Sequence, residues 1–332
     1  MRMGSLAIER LDASASELAA RSRAWEAGGG AAARLTIGAP SDEAIVLGAF
    51  QRASELEGGR GGAGADGPLA TLRRGSGGGA ARVGPGRVWI QLSLARPDAL
   101  VACTADKLLN RYVRPLLRAL TRAASVPASW FGRDWISAAG RPVALVAFAH
   151  DAAADRALFE AIVAVNAPFA CGDRPSFLGK APATLDEIAG RAVDPARVAE
   201  LAAEAYASAA TSIVDAAPFA VRAAPLLGPG ASAGAGAGEP AWAATREEAI
   251  GVVAAGRDVD GRLRVGGELM ASRDALARLE DLVASLPPDA GEDDVGRAVD
   301  EALTTRGAVT FGVRSLASVR DAILDALRAP AR

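Results

Sequence analysis

Apolar residues recur at two periods along this chain, and each period predicts a different element. Short apolar runs at residues 87–94 and 142–149, bounded by Gly, Pro or charged residues, predict strands of one sheet. Between them, residues 105–124 place Leu and Tyr at helical spacing with basic residues on the opposite face, which predicts an amphipathic helix. Asp194 followed by Pro195 is typical of a helix N-cap and first turn, so a further helix should begin there.

The last part of the chain has the pattern of a small α+β unit. Residues 251–265 predict two strands joined at Asp260-Gly261, because both turn positions accept a positive φ. Ser272 is then a candidate N-cap for the next helix. The remaining elements are predicted as helices at residues 272–286, 293–303 and 315–327, and a strand at residues 308–313.

Glycine-rich stretches divide the chain. Residues 228–240 have the Gly/Ala composition of a flexible linker, so we predict a first domain at 1–227 and an accessory domain at 241–332. Residues 58–67, with six glycines in ten positions, predict an exposed connection without regular structure.

Composition and charge narrow the class of protein. Half of the 332 residues are apolar, which favours a folded, soluble chain. The 37 basic and 39 acidic residues leave a net charge of -2, so the chain lacks the excess of positive charge that favours binding to nucleic acid or an anionic membrane. The sequence has no signal-peptide core and no apolar run near the ~20 residues of a membrane span. Cys103 and Cys171 lack metal-ligand spacing and are too few for a secreted disulfide framework, so we expect a cytoplasmic protein without a metal site.

The glycine-rich segment at residues 72–86 contains most of the candidate ligand-binding residues. Glycine lets backbone N–H groups approach an anion closely, and a basic pair stands beside these glycines. The segment therefore predicts a phosphate or acyl-adenylate cradle, with a flexible surface loop as the alternative. The candidate binding residues are Arg73, Arg74, Ser76, Gly77, Gly78, Gly79 and Ala80.

The order of elements around this segment resembles the lipoate–protein ligase A family. In that family the loop reads as two arginines, a spacer and then Ser-Gly-Gly-Gly-Ala, between an apolar run (here residues 45–51) and a strand (here 87–94). Gly132-Arg133-Asp134-Trp135 and Gly140-Arg141 resemble two later motifs of the family, which adds Arg133 and Asp134 to the candidate binding residues. The C-terminal unit resembles the accessory domain of these ligases.

This resemblance implies both a fold and a reaction. The expected fold is α+β, with a mixed and mostly antiparallel sheet, flanking helices and a small α+β accessory domain. The implied reaction uses ATP and Mg²⁺ to activate lipoate or octanoate as an acyl-adenylate, and then transfers the acyl group to a lysine of a lipoyl-type carrier domain. One of the paired arginines would neutralise phosphate charge, and residues 76–80 would line the adenylate.

The sequence departs from the family at the catalytic lysine. Pro142 stands at that position, and residues 143–147 are Val-Ala-Leu-Val-Ala where the family has Ile-Ser-Gly-Ser-Ala. Losing a cation that acts in the transition state costs about 3 kcal/mol, or roughly a hundredfold in rate. Lys180 is a candidate replacement, although a chance surface lysine is the better explanation for it. The alternative function is a catalytically degenerate homologue that acts as a binding or scaffolding partner and needs no cofactor.

Cys171-Gly172 gives a second alternative. It resembles the nucleophile of the related octanoyltransferases, which carry the acyl chain as a thioester without ATP. No base adjoins Cys171 in sequence, and a buried, inert thiol is the competing interpretation. His150, the one histidine of the chain, ends a predicted strand and is interpreted as a strand-end polar residue.

Overall fold

The computed structural model describes residues 6–27, 32–54, 63–64, 67–172, 174–211, 241–287 and 289–329. The predicted linker at 228–240 lies outside these residues, so the predicted domain boundary stays a prediction.

The elements follow the chain in this order. The strands are Leu6–Ala13 (β1), Ala33–Pro40 (β2), Ala44–Leu47 (β3), Ala63–Gly64 (β4), Gly67–Pro68 (β5), Ala70–Arg73 (β6), Ala81–Val83 (β7), Arg87–Leu94 (β8), Ala128–Ser129 (β9), Trp135–Ala138 (β10), Arg141–Asp151 (β11), Arg156–Ala164 (β12), Ala244–Glu248 (β13), Gly251–Arg257 (β14), Leu263–Gly267 (β15), Met270–Ala271 (β16) and Thr310–Phe311 (β17). The helices are Ala15–Arg23 (α1), Leu108–Ala124 (α2), Leu185–Ala189 (α3), Pro195–Thr211 (α4), Arg273–Ala284 (α5), Glu292–Leu303 (α6) and Leu316–Arg328 (α7). In the described ranges, no helix has both the length and the apolar character that a membrane crossing requires.

A seven-stranded sheet forms the centre of the first unit. Its strand order is β1-β2-β8-β12-β11-β10-β9, with β1 and β2 parallel and the other neighbours antiparallel. The predicted strands at 87–94 and 142–149 are confirmed as β8 and as part of the longer β11. The expected fold class, α+β with a mixed and mostly antiparallel sheet, is therefore confirmed.

Both faces of this sheet are buried, so its central strands are apolar at nearly every position. On β8, Val88 and Ile90 point into the core shared with helices α2 and α4, whereas Trp89 between them points to the opposite face. The helices pack against each other, and Tyr206 Oη donates to Tyr112 O at 2.8 Å. The predicted cap of α4 is confirmed, since Asp194 Oδ1 accepts the N–H of Ala196 at 2.9 Å.

The opposite face is covered by α1 and by a small three-stranded sheet of order β6-β3-β7. Trp89 and Trp135 from the large sheet pack there against Leu18 of α1 and Val46 of β3. The glycine-rich loop connects β6 to β7, so it lies directly above the large sheet. Nearby, β4 pairs with β5, so the prediction that residues 58–67 hold no regular structure is wrong at residues 63, 64 and 67.

The described residues from 241 onward form a C-terminal unit, called the accessory unit below. It packs helices α5, α6 and α7 against the sheet β13-β14-β15. The predicted hairpin is confirmed, with Gly261 at a φ of +77° and Asp258 Oδ1 accepting the N–H groups of Asp260 and Arg262 at 3.0 Å each. Strand β13 was not predicted, because its sequence Ala-Thr-Arg-Glu-Glu is polar and half exposed. The strand predicted at 308–313 is shorter than expected and covers residues 310–311.

The two units meet at the end of β11. His150 is 1 % exposed, and its Nδ1 lies 2.9 Å from Ser272 Oγ. Ser272 is the N-cap residue of α5, as predicted, but its side chain makes no capping bond to that helix. Its Oγ instead accepts the N–H of Val309 at 2.9 Å, at the junction. The Nε2 of His150 has no hydrogen-bond partner in the described part of the chain. Burial lowers the pKa of His150, although three neighbouring aspartates oppose the shift.

We predict that acidification from pH 7.5 to 5.5 destabilises the protein through His150. Because the folded-state pKa is lowered, the unfolded chain takes up a proton first, and each pH unit below about 6.5 removes up to ~1.4 kcal/mol until the folded-state pKa is reached. Thermal unfolding of wild type and His150→Gln across this range measures the effect. The variant should show a much smaller fall in Tm. Equal falls in both proteins would assign the destabilisation to other groups.

Candidate functional site

A fully buried arginine holds the glycine loop in place. Arg74 is 1 % exposed, and its Nε donates to Ser76 Oγ at 2.9 Å. Its Nη2 donates to the carbonyls of Gly77 at 2.6 Å and Gly79 at 2.9 Å, and its Nη1 donates to Val46 O at 3.3 Å. The guanidinium therefore acts as a template around which the loop folds.

Glu160, on β12 of the large sheet, balances this charge. Its Oε2 accepts the N–H of Ser76 at 3.1 Å and its Oε1 accepts Trp89 Nε1–H at 2.9 Å. Burial lowers the pKa of Arg74 to about 10, and the charge of Glu160 opposes that shift. The side chains of Arg74 and Glu160 thus hold the loop against the sheet.

The backbone N–H groups of the loop are also engaged with the protein itself. Four successive donors, those of residues 75 to 78, reach internal acceptors. In order these are Ser22 Oγ at 2.6 Å, Glu160 Oε2 at 3.1 Å, Phe148 O at 3.0 Å and Leu269 O at 3.0 Å. In this conformation, these donors do not form the open anion cradle that the glycine run predicts.

The glycines are required here because other parts of the protein approach them closely. A Cβ at Gly77 would lie 2.4 Å from Leu269 O, which belongs to the accessory unit. A Cβ at Gly79 would lie 2.1 Å from Nη2 of Arg174, and one at Gly48 would lie 2.0 Å from Gly78 O. The loop is therefore covered by the accessory unit on one side and by Arg174 on another.

Arg73, the other member of the basic pair, is half-buried and points away from Arg74. Its Nη1 donates to Gln51 O and lies 3.3 Å from Gly48 O. It thereby fixes the chain that leaves β3, next to the loop.

Arg174 lies at the centre of a buried ion cluster that sequence analysis missed. Its Nη2 is 2.9 Å from Asp134 Oδ2 and 3.5 Å from Glu268 Oε2, and it donates to Ile250 O at 3.2 Å. All three charged side chains are at most 5 % exposed. Burial opposes the charge of Arg174, but Asp134 and Glu268 together hold its pKa above the ordinary value. Nε and Nη1 have no hydrogen-bond partner in the described ranges.

The motif containing Arg133 and Asp134 therefore lies at the junction with the accessory unit. Arg133 Nη1 donates to Ala249 O at 2.8 Å. Burial raises the pKa of Asp134, while Arg174 lowers it and Glu268 raises it further. The structure thus brings Asp134 close to the glycine loop through Arg174, which touches Gly79.

Lys180 lies beside Gly140, at the start of β11, and far from the loop. Its exposed Nζ donates to Gly140 O at 3.1 Å, and Ala183 N donates to Pro142 O at 2.8 Å. The glycine loop instead touches β11 at Ala147, whose Cβ is 3.5 Å from a Cβ placed at Gly78. Six residues of strand, or about 20 Å, separate Ala147 from the start of β11. The position of Lys180 gives it no contact with the loop.

Cys171 is adjacent to the loop as a half-buried thiol. It packs with Ala80, Ile45 and Leu47. Burial raises the pKa of Cys171 to about 11, against the lowering influence of neighbouring arginines, of which Arg174 is the strongest. The thiol is therefore protonated near neutral pH, which disfavours a nucleophilic role.

No protein-family model and no curated protein matches this sequence. Solved structures do. The chain is similar to P. falciparum LipL1 in complex with lipoate, at 11% identity and a TM-score of 0.56, covering 96% of this chain and 98% of that one. It also resembles a bi-partite lipoate protein ligase from Thermoplasma acidophilum, solved with its E2 lipoyl domain, at 14% identity and a TM-score of 0.49, covering 69% and 89%. The first match confirms the expected lipoate-ligase-like fold over nearly the whole chain.

We predict that Arg74→Met costs about 3 kcal/mol or more in the free energy of unfolding. The substitution leaves Glu160 buried without its counter-charge and removes the donors to three buried carbonyls. Urea unfolding measures the loss, and Arg73→Met is the matched control. Because Arg73 is half-buried, its variant should lose at most about half as much. Equal losses of unfolding free energy in the two variants would show that the Arg74–Glu160 pair stabilises the protein no more than the contacts of Arg73 do.

We also predict that Cys171 reacts slowly with iodoacetamide in the native protein. A pKa of about 11 leaves roughly one thiol in a thousand ionised at pH 8. Cys103, whose pKa burial also raises to about 11, is the internal comparison. Peptide mass spectrometry should show at least about tenfold faster labelling of both thiols in urea. Selective rapid labelling of Cys171 in the native state would instead favour the thioester mechanism.

Proposed function

We propose that this protein binds a lipoyl- or octanoyl-type acid, or its adenylate, at the glycine loop and transfers the acyl group to a lysine of a carrier domain. The observation that supports this most strongly is the end-to-end likeness to a structure solved in complex with lipoate. Both the loop-bearing unit and the accessory unit are covered by that likeness. Arg174, a buried arginine at the loop, is a second source of support.

The reaction takes ATP as co-substrate, with Mg²⁺ neutralising its phosphates. The carboxylate of the acid displaces pyrophosphate from ATP to form the acyl-adenylate. The amine of the carrier lysine then displaces AMP and loses a proton as the amide forms. The described residues contain no group of three or more His, Cys, Asp or Glu side chains arranged to hold a metal. Mg²⁺ would arrive bound to the nucleotide, because this small, strongly hydrated cation commonly binds through substrate phosphates. The role of this chain is to position the acid and the nucleotide and to keep water away from the mixed anhydride.

Ligand entry requires the accessory unit to move off the loop. The distance of 2.4 Å between a Cβ at Gly77 and Leu269 O leaves no room for a ligand atom between them. When the segment around Leu269 withdraws, the N–H of Gly78 loses its internal acceptor and becomes available to a phosphate oxygen. The closed form described here is the resting form of the proposed cycle.

The alternative is a degenerate homologue that binds a carrier or another partner without transferring an acyl group. Pro142 favours it, because proline supplies no cation where the resembling family has its lysine. The unbroken buried strand at 143–147 and the internally bonded loop point in the same direction. Transfer through Cys171 is the least favoured mechanism, since burial keeps its thiol protonated. We place the protein in the cytoplasm, where its two free thiols would stay reduced.

A carrier-acylation assay tests the proposed function. The full-length chain is incubated with ATP, Mg²⁺, octanoate or lipoate and an E2 lipoyl domain, and intact-mass spectrometry follows the carrier. We expect the carrier to gain one acyl group only when ATP and the acid are both present. A carrier whose acceptor lysine is replaced by arginine should gain none.

Each other outcome selects a different function. Carrier binding without acylation supports the degenerate partner. Acylation from an octanoyl thioester without ATP, abolished in Cys171→Ala, supports the cysteine mechanism. Neither binding nor acylation with any of these substrates would overturn the proposed function.

A further inference from the structure

A single guanidinium in the ion cluster faces two buried carboxylates from different units. Asp134 directly precedes β10 in the first unit, whereas Glu268 follows β15 in the accessory unit. Asp134 is the closer partner of Arg174, at 2.9 Å against 3.5 Å for Glu268. Two buried carboxylates thus share one cation, and the negative charge that it leaves uncompensated is costly in the protein interior.

Arg174 also touches the glycine loop, at Gly79. Its Nη2 lies where no side chain could stand at Gly79. Its Nε and Nη1 are buried and have no hydrogen-bond partner in the described ranges. An arginine presents its N–H groups in a planar fork that matches carboxylate and phosphate oxygens. The Nε and Nη1 donors of Arg174 therefore leave this side chain able to bind an anion beside the glycine loop.

Glu268 is positioned to leave with the accessory unit. Its N–H donates to Val252 O at 2.7 Å, and its carboxylate packs over the backbone of Gly251, where a Cβ would lie 1.9 Å from Oε2. Withdrawal of the unit therefore removes this carboxylate from Arg174, together with the carbonyl of Ile250.

We infer that Arg174 is the anion-binding cation of the glycine loop and that Glu268 occupies it in the closed form, as an internal competitor of the ligand's phosphate. This inference rests on the proposed function and names the residue that would take the place of the lysine missing at Pro142. The exchange replaces one negative charge by another, so the buried cluster keeps its charge balance when a nucleotide or acyl-adenylate phosphate enters. Arg174 remains paired with Asp134 throughout.

Isothermal titration calorimetry with ATP and with inorganic pyrophosphate, at fixed ionic strength, tests the inference on the full chain. Glu268→Gln keeps the side-chain shape over Gly251 but removes the competing charge, so it should bind both probes at least about threefold more tightly than wild type. Arg174→Gln should bind them at least about tenfold more weakly. Asp274→Asn is the matched control.

The control variant removes a carboxylate at the same junction, away from the loop. Asp274 accepts the N–H groups of Ala152 at 3.0 Å and Ala153 at 3.1 Å. Its variant should bind the probes as wild type does. An affinity gain as large as that of Glu268→Gln would mean that any loosening of the junction exposes the loop, and it would overturn the assignment to Arg174.

A second variant guards against misfolding. Arg174→Gln alone leaves Asp134 buried without its cation, so Asp134→Asn with Arg174→Gln is measured beside it, with circular dichroism as a folding check. Weak binding in this folded double variant supports the inference. Unchanged binding in it, or no probe binding even in Glu268→Gln, overturns it.

The result is independent of the acylation assay. Opposite affinity changes in Glu268→Gln and Arg174→Gln, without carrier acylation, would support the anion site while the proposed transfer fails. Carrier acylation that Arg174→Gln retains in full would overturn the anion site while the proposed function stands.

Discussion

The buried guanidinium of Arg74 is the constraint on which the candidate site depends. Removed from water, it must direct its N–H groups at acceptors inside the protein, and it finds them in Ser76, two carbonyls of its own loop and Val46. Those bonds bend the chain tightly around one side chain. Glu160 then supplies the counter-charge from the large sheet and binds Ser76 N–H. The loop is thus fixed to the sheet by a charge that cannot be left unpaired.

The tight path explains the glycines without any ligand. Leu269 O, Arg174 and Gly78 O each stand where a Cβ would be at Gly77, Gly79 or Gly48. The same close packing that stabilises the closed form also excludes a ligand from it. In the proposed function, ligand binding at this loop therefore depends on the position of the accessory unit, which contributes Leu269 on one side of the loop and Glu268 at the ion cluster.

Local signals in the sequence predicted much of the fold but little of the site. Strand β8, helix α2 and the hairpin at Gly261 were predictable because apolar periodicity and turn chemistry are local. Strand β13 was missed because it is a polar edge strand. Ser272 was correctly predicted at the N-cap position of α5, but its side-chain partners, His150 and Val309, are distant in sequence and were not predictable. The ion cluster was missed for the same reason. Asp134, Arg174 and Glu268 come from three separate segments, and no spacing rule joins them.

In the proposed function, Arg174 of the ion cluster supplies the positive charge that Pro142 cannot supply. A ligand carrying phosphate needs a cation with free donors close to the loop, and Lys180 lies about 20 Å along β11 from the point of contact. Arg174 meets the requirement in charge and position, because it adjoins Gly79 and has two N–H-bearing atoms without partners in the described ranges. Burial cannot easily neutralise an arginine, whereas a buried lysine readily loses its proton. Arg174, which follows Cys171 in the chain, would therefore stay charged in the closed form, whereas a buried lysine on the strand could lose its proton. Its buried charge requires Asp134 and Glu268 as counter-charges.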